Sequence, residues 1–277
     1  MSRLEATFAS LRHERRVALM PYLPLGYPSV STCLMLVRAA AESGADVLEL
    51  GMPFSDPLAD GPVIQHATQV ALANGVTLAD CLTMVDQVRS AGVIQPLVLM
   101  GYYNPILRFG LDRFGQAAQE VGVDGFIIAD LPPDEARPFR DVCTAHQLDL
   151  IHLIAPNSPE ERLRMVVSAS QGFVYLVSVT GVTGTRSRTP EGLLPFVRRA
   201  RALTTKPLCV GFGISDASSA RETARLADGV IVGSALVERM GAENPERAVR
   251  QLVRELREAV DAATEGATRN GKSIGTA

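Results

Sequence analysis

Two carboxylates, Glu49 and Asp60, stand near the two ends of one stretch stiffened by proline and glycine, Leu48-Glu-Leu-Gly-Met-Pro-Phe-Ser-Asp-Pro-Leu-Ala-Asp-Gly-Pro62. Just ahead of it, Ala45-Asp-Val-Leu-Glu-Leu50 reads as a short buried strand. A period of two puts Val47 and Glu49 on one face, with Leu48 and Leu50 on the other. A carboxylate is thereby aimed where a core residue belongs. Burial without a partner raises a carboxyl pKa, so Glu49 is either ion-paired or held ready for proton transfer. Asp60 has a plainer reading beside the catalytic one. It could be a turn residue before Gly61, or the cap of a helix starting at Pro62.

The elements that must position these groups follow one alternation along the chain. Strands are expected at 17–23, 46–50, 96–101, 125–129, 149–154, 173–178, 207–210 and 228–232. Helical patterns fill 2–13, 29–43, 62–73, 77–91, 111–121, 132–146, 158–169, 190–203 and 215–226, and a last helix runs over 245–263. Short apolar strands between amphipathic helices imply parallel pairing under a helical cover. Eight such units in 277 residues fit a single (β/α)8 TIM barrel with an extra N-terminal helix better than the runner-up, a doubly wound open sheet. The barrel is expected over residues 1–264, and the Gly-, Thr- and Ser-rich end at 265–277 as a flexible tail.

In such a barrel, function sits on the loops after the strands. Those loops are Met100-Gly-Tyr-Tyr-Asn-Pro105, Ala129-Asp-Leu-Pro132, Ala155-Pro-Asn157, Gly181-Val-Thr-Gly-Thr-Arg-Ser-Arg188, Gly211-Phe-Gly-Ile-Ser215 and Gly233-Ser234. Glycines there, with the start of a following helix, can turn several backbone N–H groups toward a phosphate, and Gly184, Gly213, Gly233 and Ser234 are the candidates. Each taken singly is also an ordinary turn residue. Gly211 and Gly213 form no dinucleotide fingerprint, because Asp216 stands where a third glycine is needed.

Other chemistries are poorly served. A Schiff base needs a pocket lysine, yet the only lysines are Lys206, ahead of strand seven at the opposite end of the barrel, and Lys272 in the tail. His13, His66, His146 and His152 lie on separate elements and offer no metal site. Cys33, Cys81, Cys143 and Cys209 are far apart in sequence and read as small buried or half-buried thiols rather than disulfides or zinc ligands. A net charge of −3 with scattered arginines argues against nucleic acid. No apolar run reaches membrane-span length, and the polar stretch Met1 to Arg16 lacks the pattern of a secretory signal, so a cytoplasmic protein is expected. Carboxylate acid–base chemistry on a phosphorylated substrate remains. Tyr175 could add a phenolic donor or serve as a plain core aromatic.

Over nearly its whole length the chain resembles the α subunit of tryptophan synthase. The resemblance rests on the 48–62 stretch, Gly181-Val-Thr-Gly184, Gly211-Phe-Gly-Ile-Ser215 and Gly233-Ser-Ala235. It implies a lyase that cleaves indole-3-glycerol phosphate to indole and glyceraldehyde 3-phosphate, in an α2β2 assembly with a β subunit that carries the pyridoxal phosphate. The chain itself would then need no cofactor and no metal. Carried over, Glu49 is the acid–base group, Asp60 holds the indole N–H, and Tyr175 bonds in the same pocket. Tyr22, Met100, Ile127, Ala129, Leu153, Thr183 and Phe212 wall the indole. Pro53, Ser55, Asp56, Pro57, Asn104 and Pro105 face the partner, while the loop holding Thr183 closes over the substrate. Tyr22 stands where the family often has Phe. Two alternatives stay open from the sequence: a stand-alone lyase releasing free indole, and a non-catalytic barrel that regulates another subunit.

Overall fold

The computed structural model describes residues 1–177, 192–211 and 213–270, with side chains as far as Thr264. Among these residues nine strands form one sheet: β1 (Ala18–Pro24), β2 (Leu48–Gly51), β3 (Leu97–Gly101), β4 (Gly125–Ile128), β5 (Asp149–Ile151), β6 (Leu153–Ile154), β7 (Val174–Val177), β8 (Leu208–Gly211) and β9 (Gly229–Val232). All pairings are parallel, in the order β5-β4-β3-β2-β1-β9-β8-β7-β6. The two ends of that order, β5 and β6, are consecutive in the chain, so the sheet comes round on itself as a nearly closed barrel.

That seam corrects the single strand expected at 149–154. The His152 N–H donates to Ser170 Oγ at 3.2 Å, while its carbonyl accepts from the Tyr175 N–H. Residues 149–151 therefore pair with β4 and residues 153–154 with β7.

The helical cover comprises α1 (Arg3–His13), α2 (Val30–Glu42), α3 (Pro62–Ala73), α4 (Leu78–Ser90), α5 (Tyr103–Phe109), α6 (Leu111–Glu120), α7 (Arg137–Ala145), α8 (Glu160–Ala169), α9 (Leu193–Arg201), α10 (Ala217–Ala224), α11 (Ser234–Met240) and α12 (Pro245–Asn270). None of the described helices is long and apolar enough to cross a membrane. Three further departures from the sequence reading have local causes. Tyr103-Asn-Pro105 opens the helix α5 rather than a loop, because Pro105 falls in the first turn, where no N–H is needed. Pro132 and Pro133 delay α7 to Arg137. The last helix runs on to Asn270, past the expected stop at 263, with buried Leu256, Ala259, Val260 and Ala263 along one face.

Alternation along the strands sorts the core into two layers. Outward residues such as Leu19, Leu48, Leu50, Leu97, Leu99, Val230 and Val232 pack beneath the helices. Inward Ala18, Met20, Val47, Val98, Ile127, Ile151, Phe173, Cys209 and Ile231 fill the barrel, and Leu4, Phe8 and Leu11 of α1 plug its N-terminal end, where Phe8 meets Phe173 at 5.8 Å. Each Leu, Ile, Val, Met or Phe side chain so buried contributes about 1.5–3 kcal/mol.

The N-terminal rim is fastened by carboxylates. Asp46 accepts from the Leu19 N–H at 2.8 Å and Arg257 at 2.7 Å. Asp124 accepts from the Leu97 N–H at 2.7 Å and from Arg89 and Arg3, each at 2.6 Å. Asp228 accepts from the Leu208 N–H at 2.7 Å and pairs with Arg201. In each case an aspartate ties the first amides of the neighbouring strand to a guanidinium. Lys206 is also at this end, its ammonium bound to the Val167 and Ser170 carbonyls at the close of α8, as expected from its place before β8.

Candidate active site

Glu49 is the second residue of the four-residue β2, paired in register with Tyr22 on one side and Val98 on the other. Its side chain points into the barrel and is 1% exposed. Its Oε2 has no hydrogen-bond partner among the described residues. Burial, with a smaller push from the charge of Asp60, raises its carboxyl to about 8. The ion-paired reading thus gives way to a carboxyl that is protonated at neutral pH and ready to donate.

Asp60 lies on the loop after β2 and is half-buried. It does not cap α3: Gly61 is the N-cap residue, with no side-chain bond. The loop is instead closed on itself and clamped. The Asp60 N–H donates to the Pro57 carbonyl at 3.1 Å, and its own carbonyl accepts from Gln65 Nε2 at 2.9 Å. Tyr102 Oη donates to Asp60 Oδ2 at 3.0 Å and accepts from the Ala59 N–H at 3.0 Å. Burial pushes the Asp60 carboxyl up, and the Tyr102 bond pulls it back down. Tyr102 and Gln65 were not singled out in the sequence. The one available signal was a tyrosine just past the end of β3, where a barrel keeps its working residues.

Tyr175 is buried inside the barrel, and burial followed by the Glu49 charge lifts its phenol well above the ordinary range. Its ring lies against Gly211 of the next strand, where an added Cβ would strike the hydroxyl. Tyr22 has the same relation to Gly51. Each glycine leaves room for a neighbouring tyrosine at the C-terminal end of the barrel. Tyr22 is almost wholly buried, and burial is again the main force raising its phenol, followed by Asp60 and Glu49. It packs with Ala67 and Val237, bordered by Val63, Ile64 and Met100. Met100, Ile127 and Leu153 share the barrel cluster of Tyr175, and Ala129 follows β4 half-buried. These sequence candidates therefore converge with Glu49 on one mouth.

At the anion candidates, Gly213 is exposed with φ +77°, and Gly233 caps the seven-residue α11, whose first residue is the exposed Ser234. A Cβ on Gly233 would meet only Ile64 Cδ1, at 3.6 Å. Gly184, Thr183 and Phe212 lie outside the described residues. On the outer rim Ser55, Asp56 and Asn104 are exposed, Pro53, Pro57 and Pro105 are half-buried, and Leu58 between them is 92% exposed. The described residues hold no cluster of potential metal ligands.

Comparison with known proteins agrees with this geometry. A family model described as tryptophan synthase alpha chain matches residues 8–265. The tryptophan synthase alpha chain of Chloroflexus aggregans is 51% identical over 262 residues, covering 95% of this chain and 98% of its own. Among solved structures, tryptophan synthase subunit alpha from Legionella pneumophila superposes with a TM-score of 0.88 at 38% identity, covering 95% of this chain and 99% of its own. A chain of Mycobacterium tuberculosis tryptophan synthase does so with a TM-score of 0.87 at 42% identity, covering 94% and 98%.

Proposed function

The chain belongs to the tryptophan synthase alpha chain family, a lyase family catalysing the α reaction, and from that premise we propose how its residues divide the work. Its role is that of the α subunit; the stand-alone lyase and the non-catalytic barrel are not favoured by relatives that match it over 94–95% of its length. The substrate is indole-3-glycerol phosphate. Glu49, protonated, gives its proton to indole C3. The ring becomes an electron sink, and the bond from C3 to the glycerol carbon breaks, its electron pair returning to the ring. The glycerol hydroxyl becomes the carbonyl of glyceraldehyde 3-phosphate, and its proton restores Glu49. Asp60, charged, accepts from the indole N–H and balances the positive charge that builds on the ring. One carboxyl must stay protonated and the other charged, which calls for unlike surroundings. The apolar barrel around Glu49 and the phenol bonded to Asp60 supply them.

Tyr175 bonds within the same pocket, and Tyr22, Met100, Ile127, Ala129 and Leu153 wall the indole. The substrate phosphate rests on the backbone of Gly213, Gly233 and Ser234, where helix-start N–H groups favour an anion. No step runs through a metal or a cofactor bound to this chain; pyridoxal phosphate belongs to the β partner. Family membership implies that partner. The assembly is α2β2 and cytoplasmic, and docking covers Pro53, Ser55, Asp56, Pro57, Asn104 and Pro105.

The observation that carries this reading is Glu49, buried inside the barrel with an unpartnered oxygen. Its test is glyceraldehyde 3-phosphate formation from indole-3-glycerol phosphate, followed against the concentration of a tryptophan synthase β subunit. Slow cleavage by the chain alone and faster cleavage with the partner is the expected result. No cleavage in either case would sink the reading.

A further inference from the structure

Tyr102 follows β3 and stands as the N-cap residue of α5, 6% exposed, with its ring 5.3 Å from that of Phe54. Its single hydroxyl meets two consecutive residues of the loop after β2. The Ala59 N–H can only donate, so the phenol oxygen accepts there, and its one proton is left for Asp60 Oδ2. The direction of the bond is thus set by the backbone. A phenol that donates to a carboxylate stabilises its charged form and fixes one of its two oxygens. The contact engages Oδ2 and not Oδ1. Asp60 is also faced by Glu49 from β2, Tyr22 from β1 and Tyr175 from β7. Glu49 is the other acid, and a second negative charge there would favour protonation of Asp60. The Tyr102 proton opposes that tendency.

We infer that Tyr102 is a positioning residue of the α reaction, holding the Asp60 carboxylate in one orientation and in its charged form through the paired contacts with Ala59 and Asp60. The inference rests on the acid–base reading above and deepens it: the split into one protonated and one charged carboxyl depends on a residue that touches no reacting atom. Its position also gives the partner a route to the site. Tyr102 joins directly to α5, which carries Asn104 and Pro105, so a shift of α5 on docking would move the hydroxyl that orients Asp60.

Tyr102→Phe keeps the ring and its contact with Phe54 and removes only the hydroxyl. In the complex with saturating β subunit, kcat should fall roughly tenfold or more while KM changes less than about threefold, because the lost interaction acts on the charge of a catalytic group. Without the donor the Asp60 pKa rises, so the acid limb of the kcat profile should move to higher pH. A wild-type kcat, or a lowered kcat with an unmoved acid limb, overturns the inference. Should Tyr102→Phe fail to fold, a fluorotyrosine at position 102, a stronger donor of nearly the same shape, must move the limb to lower pH; an unmoved limb again overturns it. Glu49→Gln, assayed alongside, separates the two levels. Turnover by that variant would remove the acid–base reading itself. If it is inactive while Tyr102→Phe matches the wild type, the role of Tyr102 alone fails.

Discussion

The two ends of the barrel hold most of their carboxylates in different ways, the exception being the buried Asp149 of the N-terminal end, which accepts from Ser2 Oγ at 2.6 Å. At the N-terminal end Asp46, Asp124 and Asp228 each accept from a strand amide and from a guanidinium. At the C-terminal end Glu49 has an oxygen with no partner among the described residues, and the Asp60 carboxylate accepts from a neutral phenol. A carboxylate tied to both an amide and a guanidinium holds the fold rather than moving a proton. One left without a cation is costly to ionise, and that cost is what makes it an acid at neutral pH. The N-terminal end therefore serves stability and the C-terminal end serves chemistry, using the same kind of side chain.

The sharpest way to break this contrast is Glu49→Gln. Turnover should drop by up to about 10⁴-fold, on the order of 5 kcal/mol of barrier, with analogue binding within about tenfold. Its stability should move the other way. Glu49 titrates higher in the fold than in the unfolded chain, so its stabilising contribution is complete below pH 4.5 and is lost as pH rises through about 8. The variant should accordingly melt above the wild type at pH 9. An unchanged melting temperature there would deny that Glu49 is held protonated.

Asp124→Ala is the counterpart at the other end. It strands Arg89 and the Leu97 amide, and should cost about 4 kcal/mol in chemical denaturation while kcat per folded molecule stays at the wild-type value. A loss of kcat at full folding would blur the division between the ends.

The seam between β5 and β6 offers a third test, in pH. Burial lowers the His152 imidazole to about 4, and its Nε2 has no partner among the described residues. The unfolded chain takes up a proton near pH 6.5 that the folded chain refuses until about 4. Stability is then complete above pH 6.5 and should fall by about 3 kcal/mol on the way down to pH 4. In His152→Gln this segment of the urea-unfolding profile should flatten. A profile equally steep in both proteins assigns the effect elsewhere.

Smaller effects are expected on the loops. Gly233→Asp should weaken glycerol phosphate binding about tenfold by calorimetry, since it sets a negative charge among helix-start N–H groups without a clash. Gly213→Asp should do the same but also lose stability, because φ is +77° there. Asp56→Ala, exposed on the rim, should raise the β-subunit concentration needed for half-activation by less than about fivefold, as exposed charges contribute little. Unchanged half-activation would move docking off this loop.

What could be read from the sequence was local. Alternation along a strand is a property of the backbone, so Val47 and Glu49 could be turned inward and Leu48 and Leu50 outward before any partner strand was known. Repeated strands and helices then implied the barrel, and the barrel implied which loops converge. Asp60 could be suspected, but not told apart from a helix cap, because the two readings differ only in which distant group its carboxylate meets. The fold decided that: Tyr102 reaches it across 42 residues of sequence, and Gly61 takes over the cap. The break at His152 was equally hidden, since 149–154 is an uninterrupted strand pattern until Ser170 competes for its amide. Local chemistry sets the direction of a side chain, whereas its protonation and its partners depend on groups that only the closed barrel brings within a few ångströms.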